Sequence, residues 1–229
     1  MTGQTILDPG NLLMVQERER YLARILRGQG YESLEALRCF EAGCSSGHNL
    51  HTFIQWGAAP ADLAAIDIDP QMTAYMKTHS PEIRTHTGSA DAIPEPDERF
   101  DLSIAFTLFS SVPDEEVARG IARELFRITR PGGLIVVYDM TRRNPSNRAV
   151  HPVLQDAIRR WFPKCPLKVR TITLAPPIAR PIGRFAPWLY GPLAALPFLR
   201  THAVYVLRRP ALPLIPAGAE QDTAPRAGS

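Results

Sequence analysis

The 229-residue chain has little with which to hold a metal or a disulfide framework. Its three cysteines, Cys39, Cys44 and Cys165, are odd in number and show no metal-ligand spacing, so neither a stapled secreted fold nor a thiolate metal site is expected. Its six histidines form no cluster in the sequence, which makes a metal-dependent mechanism unexpected. The opening residues include Thr2, Gln4 and Asp8, with no basic segment followed by an apolar one, so export through a signal peptide is not expected. A chain with so few cysteines suits a reducing compartment, and the cytoplasm is the expected location. The stretch Phe185–Leu199 carries no charge, but it falls short of the about 20 residues needed to span a bilayer and contains Pro187, Pro192 and Pro197.

What is present fits an ordinary globular α/β chain, with 45% hydrophobic and 21% charged residues. Charge is unevenly distributed. Residues 1–140 hold 12 Lys and Arg against 20 Asp and Glu, whereas residues 141–229 hold 14 against 3. The C-terminal third is therefore expected to face something anionic or to present a solvated basic surface. No internal repeat is visible. Thirteen of the 22 prolines fall in residues 151–229. From Pro210 onward the chain is rich in proline, alanine and small polar residues, the composition of a disordered tail.

Short apolar runs alternate with amphipathic stretches, as in a parallel sheet covered by helices. Strands are expected at Arg38–Ala42, Asp62–Asp67, Ile83–Gly88, Leu102–Thr107, Leu134–Asp139, Lys168–Leu174 and His202–Arg208. Helices are expected at Leu12–Leu26, Asn49–Trp56, Pro70–His79 and Asp114–Ile128. In the last of these, Asp114 supplies a cap and Val117, Ile121, Leu125 and Ile128 form one stripe. It ends at Arg130-Pro131-Gly132-Gly133, where proline stops a helix and glycine permits a tight turn.

The most informative segment is Glu41-Ala42-Gly43-Cys44-Ser45-Ser46-Gly47-His48, which closes one strand and opens a helix. Glycines there let a ligand lie against the backbone, and the helix start offers unpaired N–H groups. A dinucleotide loop of the G-x-G-x-x-G kind would need glycine where Ser45 and His48 stand, which weakens a nicotinamide reading. About twenty residues further on, Asp67 ends the second strand, where a carboxylate can accept from two ribose hydroxyls. Asp69, just before Pro70, reads as a helix cap.

These segments resemble the class I S-adenosylmethionine-dependent methyltransferases. Four blocks match in order: Glu41–Gly47, Ala65-Ile66-Asp67-Ile68, Gly88–Pro94 followed by Phe100-Asp101, and Arg130–Gly133. The resemblance implies a Rossmann-like, seven-stranded, mostly parallel sheet with an antiparallel last strand and helices on both faces. It implies one methyltransferase domain over residues 1–209, with a helical cap at 1–36 and an acceptor-side region at 141–209. S-adenosylmethionine would be the cofactor. Glu41, Gly43 and Gly47 would surround its methionine portion, Asp67 would bind ribose, and Ala90 and Asp91 would meet adenine. Ser45 replaces the usual middle glycine, and Ser89 stands where an aspartate commonly contacts adenine.

Methyl transfer from a sulfonium needs alignment more than a catalytic triad, and the sequence shows no triad. Bases belong at the carboxyl edge of the sheet. His202, at the start of an antiparallel last strand, and Asp139, at the end of the fifth, are the candidates, each with an ordinary structural explanation beside it. Segments such as Thr107–Ser111, Tyr138–Met140, Asn144-Pro145, Asn147, Thr173–Pro177 and Leu199–His202 also resemble small bacterial methyltransferases associated with polysaccharide and glycolipid biosynthesis. That resemblance implies a saccharide or lipid-linked acceptor. The aromatics of Phe185–Leu199 and the arginines flanking them would suit peripheral contact with an anionic membrane, or a helix packed on the sheet. Basic residues are scattered and no Asn-Pro-Pro-aromatic signature occurs, so nucleic acid is not an expected partner; no obligate protein partner is evident. The alternatives are a nicotinamide-dependent oxidoreductase, an aminopropyl transferase and a non-catalytic module of the same fold.

Overall fold

A computed structural model of the protein describes residues 5–143 and 149–211. The expected tail beyond residue 211, and Asn144, Pro145 and Asn147 of the C-terminal resemblance, lie outside the described residues. Seven strands form one sheet: β1 (Cys39–Ala42), β2 (Leu63–Asp67), β3 (Arg84–Thr87), β4 (Phe100–Phe106), β5 (Thr129–Met140), β6 (Leu167–Leu174) and β7 (Arg200–Arg208). Their order is β3-β2-β1-β4-β5-β7-β6. The first five strands run parallel, and β7 lies antiparallel to both β5 and β6. The Rossmann-like sheet with a reversed last strand is therefore as the sequence implied.

Strands covered on both faces need apolar residues at successive positions rather than alternation. Every residue of β1 and β4 is buried accordingly. One face of the sheet carries α1 (Pro9–Gly28), α2 (His48–Gln55) and α3 (Pro70–His79), through Leu22, Leu26, Leu50, Phe53 and Met76. The other carries α4 (Glu115–Ile128) and α5 (Gln155–Trp161), through Ile121, Leu125, Ile128 and Ile158. Helices thus cover both faces.

Two elements begin three or more residues earlier than the apolar pattern suggests. Helix α1 starts at Pro9 because the Asp8 carboxylate accepts from the Gly10 and Asn11 N–H groups at 2.9 and 3.0 Å, a cap upstream of the apolar stripe. Strand β5 begins at Thr129 rather than Leu134, so the Arg130–Gly133 turn is part of the strand, with Gly132 at φ +78°. In α4, Asp114 caps as expected, accepting from the Glu116 and Val117 N–H groups. The proline-rich stretch resolves into α6 (Pro176–Phe185), α7 (Tyr190–Ala194) and short 3-10 turns. Helix α6 crosses α1 closely, since a Cβ on Gly10 would lie 2.4 Å from the Ala179 carbonyl oxygen. Among the described residues no helix is long and apolar enough to cross a membrane.

Candidate cofactor and acceptor site

Parallel strands leave their carboxyl ends open to ligands. At that edge, the loop after β1 carries three left-handed residues: Gly43 (φ +73°), Ser45 (φ +48°) and Gly47 (φ +79°). Serine occupies the position of the usual middle glycine and still adopts its backbone conformation. The Gly43 and Cys44 N–H groups donate to the Ile66 carbonyl at 2.8 and 3.2 Å, stitching the loop to the end of β2. A side chain at Gly47 would be strained by the φ of +79° and would press on the end of the Met76 side chain.

Asp67 joins this loop. Its Oδ2 accepts from the Ser45 N–H at 2.7 Å and its Oδ1 from the Asp69 N–H at 2.9 Å. The Gly88 N–H donates to the Asp67 carbonyl oxygen at 3.0 Å, bringing the loop after β3 to the same edge. In that loop Ala90 is buried. Asp91 lies over α4, where a Cβ on Gly120 would meet the Asp91 Cβ at 2.7 Å. Asp69 caps α3 through the Gln71 N–H.

Glu41 is the unusual member of β1, a carboxyl group only 1% exposed. Burial pushes it up to about 8, although the Asn49 hydrogen bond and the Arg18 charge oppose this. Asn49 Nδ2 donates to Glu41 Oε1 at 2.5 Å, while Glu41 Oε2 is buried without a hydrogen-bond partner. An orphaned buried acceptor beside a left-handed loop fits the ammonium of an amino-acid-bearing nucleoside. Asn49 Oδ1 in turn accepts from Arg18 Nη2 at 2.9 Å. The Arg18 guanidinium lies 5.3 Å from the Phe106 ring centre and 5.4 Å from that of Tyr138. Tyr138 stacks on His202 at 4.9 Å with the rings 7° from parallel. A continuous path therefore links Glu41 to His202 through Arg18. Sequence reasoning missed Arg18, because Glu17-Arg18-Glu19-Arg20 looks like a solvated helix face.

The two base candidates do not meet. In the β5–β7 register Asp139 pairs with Ala203 and Met140 with His202. Ala203 packs with the α4 core and Val204 with the α1 core, so alternation along β7 sends His202 to the α1 face and Asp139 to the α4 face. Burial, aided by Arg18, lowers His202 to about 4. Its Nδ1 lies 3.0 Å from Thr201 Oγ1. Asp139, with no exposed surface, accepts from the Ser110 N–H at 3.0 Å and the Met140 N–H at 2.8 Å. Burial raises it to about 6.

This strand order, with β7 reversed, is the fold of solved S-adenosylmethionine-dependent methyltransferases. Residues 40–133 match the family described as "Methyltransferase domain". The chain is similar to the ubiquinone biosynthesis O-methyltransferase of Cereibacter sphaeroides, 28% identical over 134 residues, covering 57% of this chain and 51% of that one. It is also similar to the malonyl-[acyl-carrier protein] O-methyltransferase of Pectobacterium atrosepticum, 31% identical over 102 residues, covering 43% and 37%. The first of these alignments spans about half of the relative's length and the second less. Among solved structures, an S-adenosylmethionine-dependent methyltransferase from Mesorhizobium loti shares the fold with a TM-score of 0.58 and 16% identity, over 81% of this chain and 96% of that one.

Proposed function

We propose that this chain transfers a methyl group from S-adenosylmethionine to an oxygen of a small or lipid-linked acceptor, with a saccharide hydroxyl as the acceptor its C-terminal segments favour. The observation that carries the reading is the buried, unpartnered Glu41 Oε2 beside Asp67 and the Gly43–Gly47 loop. Oxygen as the receiving atom is supported by the two relatives named above, both O-methyltransferases.

The bound cofactor supplies a methyl group already activated on a sulfonium, which leaves the protein to bind and align. Asp67 accepts from ribose hydroxyls. Gly43 and Gly47 leave room at the backbone. Ala90 and Asp91 border adenine, and Glu41 accepts from the ammonium. Arg18 positions Glu41 through Asn49 and, from its other side, adds to the burial that keeps His202 uncharged. A neutral imidazole is the form able to accept a proton from a hydroxyl, so His202 is the preferred base. Asp139 is the weaker candidate, since it is fully buried on the opposite, α4 face of the sheet.

A cytoplasmic location with peripheral contact to an anionic membrane accompanies this reading. Its support is the exposure of Phe185, Trp188 and Phe198, at 73%, 72% and 64%. Aromatics beside arginines suit a headgroup surface.

The deciding experiment is methyl-label transfer from S-adenosylmethionine into lipid and saccharide extracts, with binding of S-adenosylhomocysteine read by calorimetry. Label in an alkali-stable saccharide or lipid product is expected. A protein that binds neither the cofactor nor its demethylated product at millimolar concentration ends the proposal. His202→Gln is expected to lower turnover at least tenfold while leaving S-adenosylhomocysteine affinity unchanged; unaltered turnover across pH removes His202 as the base.

A further inference from the structure

The α1 face of the sheet holds a second recess, away from the Gly43–Gly47 loop. It lies between α1, β6 and α7, has a volume of about 380 Å³, and is walled by Arg20, Arg24, Arg170 and Arg200 together with Tyr21 and Tyr190. One carboxylate, Glu17, also lines it. That group is already occupied, since its Oε2 accepts from the Tyr190 hydroxyl at 2.7 Å and the Thr173 N–H at 3.1 Å. Among the described residues none of the four arginines forms an ion pair. Four guanidinium groups thus converge around one recess against a single carboxylate.

Two of the arginines, Arg200 and Arg170, are held in place. Arg200 donates to the carbonyls of Ala194, Thr171 and Ala195 at 2.6, 2.9 and 3.3 Å, which fixes its charge in the wall. The Arg170 guanidinium lies 5.2 Å from the Tyr21 ring centre, and stacking of that kind leaves the N–H groups around a guanidinium edge available. Arg20 commits only its Nε, to the Gln16 carbonyl at 3.1 Å. Arg24 makes no hydrogen bond or ion pair within the described residues. Unopposed like charges repel when brought together, and a bound anion relieves that repulsion. Planar guanidinium forks match the oxygens of phosphate better than any other side chain. The volume lies within the range of small-ligand sites.

We propose that this recess binds a phosphate- or diphosphate-bearing ligand, at a site separate from the cofactor loop. The floor residue Ile172 pairs in register with His202, so a ligand anchored there lies next to the strand that carries the candidate base. The phosphate has two sources, a soluble phosphorylated molecule or a phospholipid headgroup, and the same guanidinium groups serve both.

The test titrates the full chain with inorganic pyrophosphate by calorimetry at low salt, then repeats the titration with vesicles of phosphatidylglycerol in phosphatidylcholine. The comparison protein is the double variant Arg24→Gln, Arg170→Gln, and S-adenosylhomocysteine affinity is measured on each sample. Saturable, salt-weakened pyrophosphate binding is expected, at least tenfold weaker in the double variant, with S-adenosylhomocysteine affinity unchanged. Displacement of pyrophosphate by the vesicles assigns the site to headgroups, and pyrophosphate binding without displacement assigns it to soluble phosphates. Either result supports the recess. No saturable binding of pyrophosphate or vesicles by the native chain overturns it, as does equal affinity in the double variant. Should the double variant fail to fold, Arg24→Gln alone carries the comparison. Reading S-adenosylhomocysteine on the same samples separates failure here from failure of the methyltransferase reading.

Discussion

At the scale of single residues, function concentrates where chemistry and burial conflict. Asp67 sits at a strand end with both oxygens already engaged by backbone N–H groups, so its carboxylate is oriented before any ligand arrives. Charge-assisted hydrogen bonds contribute roughly 1.5–3 kcal/mol each. Asp67→Ala is therefore expected to weaken S-adenosylhomocysteine binding more than about tenfold, read by calorimetry, and unchanged affinity would remove Asp67 from the site. The placement of Asp67, Gly43 and Gly47 at one edge of the sheet was legible in the sequence because a strand-end carboxylate and a glycine-bearing loop carry position-specific signals. Arg18 was not, because inward and outward arginines look alike in an alternating charged helix. The separation of Asp139 from His202 was hidden as well, since only the β5–β7 register shows which face each residue takes.

At the scale of elements, two of the contacts that fasten α1 can be tested by single substitutions. Near its start, Gly10 meets α6, and a Cβ there would come within 2.4 Å of the Ala179 oxygen and the Arg180 Cα. Backbone cannot yield as a flexible side chain does, so Gly10→Ala forces the helices apart, at a cost of about 1–3 kcal/mol. A melting temperature lower by several degrees is expected, followed by circular dichroism. About two turns further along, Glu17 ties α1 to Thr173, a β-branched residue held at φ +69°, and to Tyr190. Glu17→Ala leaves a hydroxyl and a backbone N–H unpaired, which costs roughly 1–3 kcal/mol. Urea unfolding is expected to show that loss, and equal midpoints for variant and native chain would show the tie to be idle. The central strands were legible because burial on both faces writes a continuous apolar run. The helices between Leu174 and Arg200 were not, because proline there opens helices as often as it breaks them, and neither was α5, which is too short to show a period.

At the scale of the whole molecule, three buried groups couple folding to protons with opposite signs. Glu41 is raised from 4.5 to about 8 and Asp139 from 3.8 to about 6. The folded chain therefore binds more protons than the unfolded one across those intervals, and stability falls as pH rises through them. His202, lowered from 6.5 to about 4, does the reverse: the unfolded chain binds more protons in that interval, and stability rises with pH across it. Above the ordinary histidine value only Glu41 continues to act among these three, and it draws stability down toward its own value near 8. A ligand ammonium beside Glu41 favours the carboxylate and cancels that slope. The thermal stabilisation given by S-adenosylhomocysteine is thus expected to grow from about pH 6 to about pH 8, with a proton released on binding near neutrality. Calorimetry in two buffers of different ionisation enthalpy reads the proton directly. In Glu41→Gln, the release should vanish and the stabilisation should lose its pH dependence. Equal stabilisation at both pH values in the native chain, with no proton released, would mean that Glu41 does not face the bound ligand.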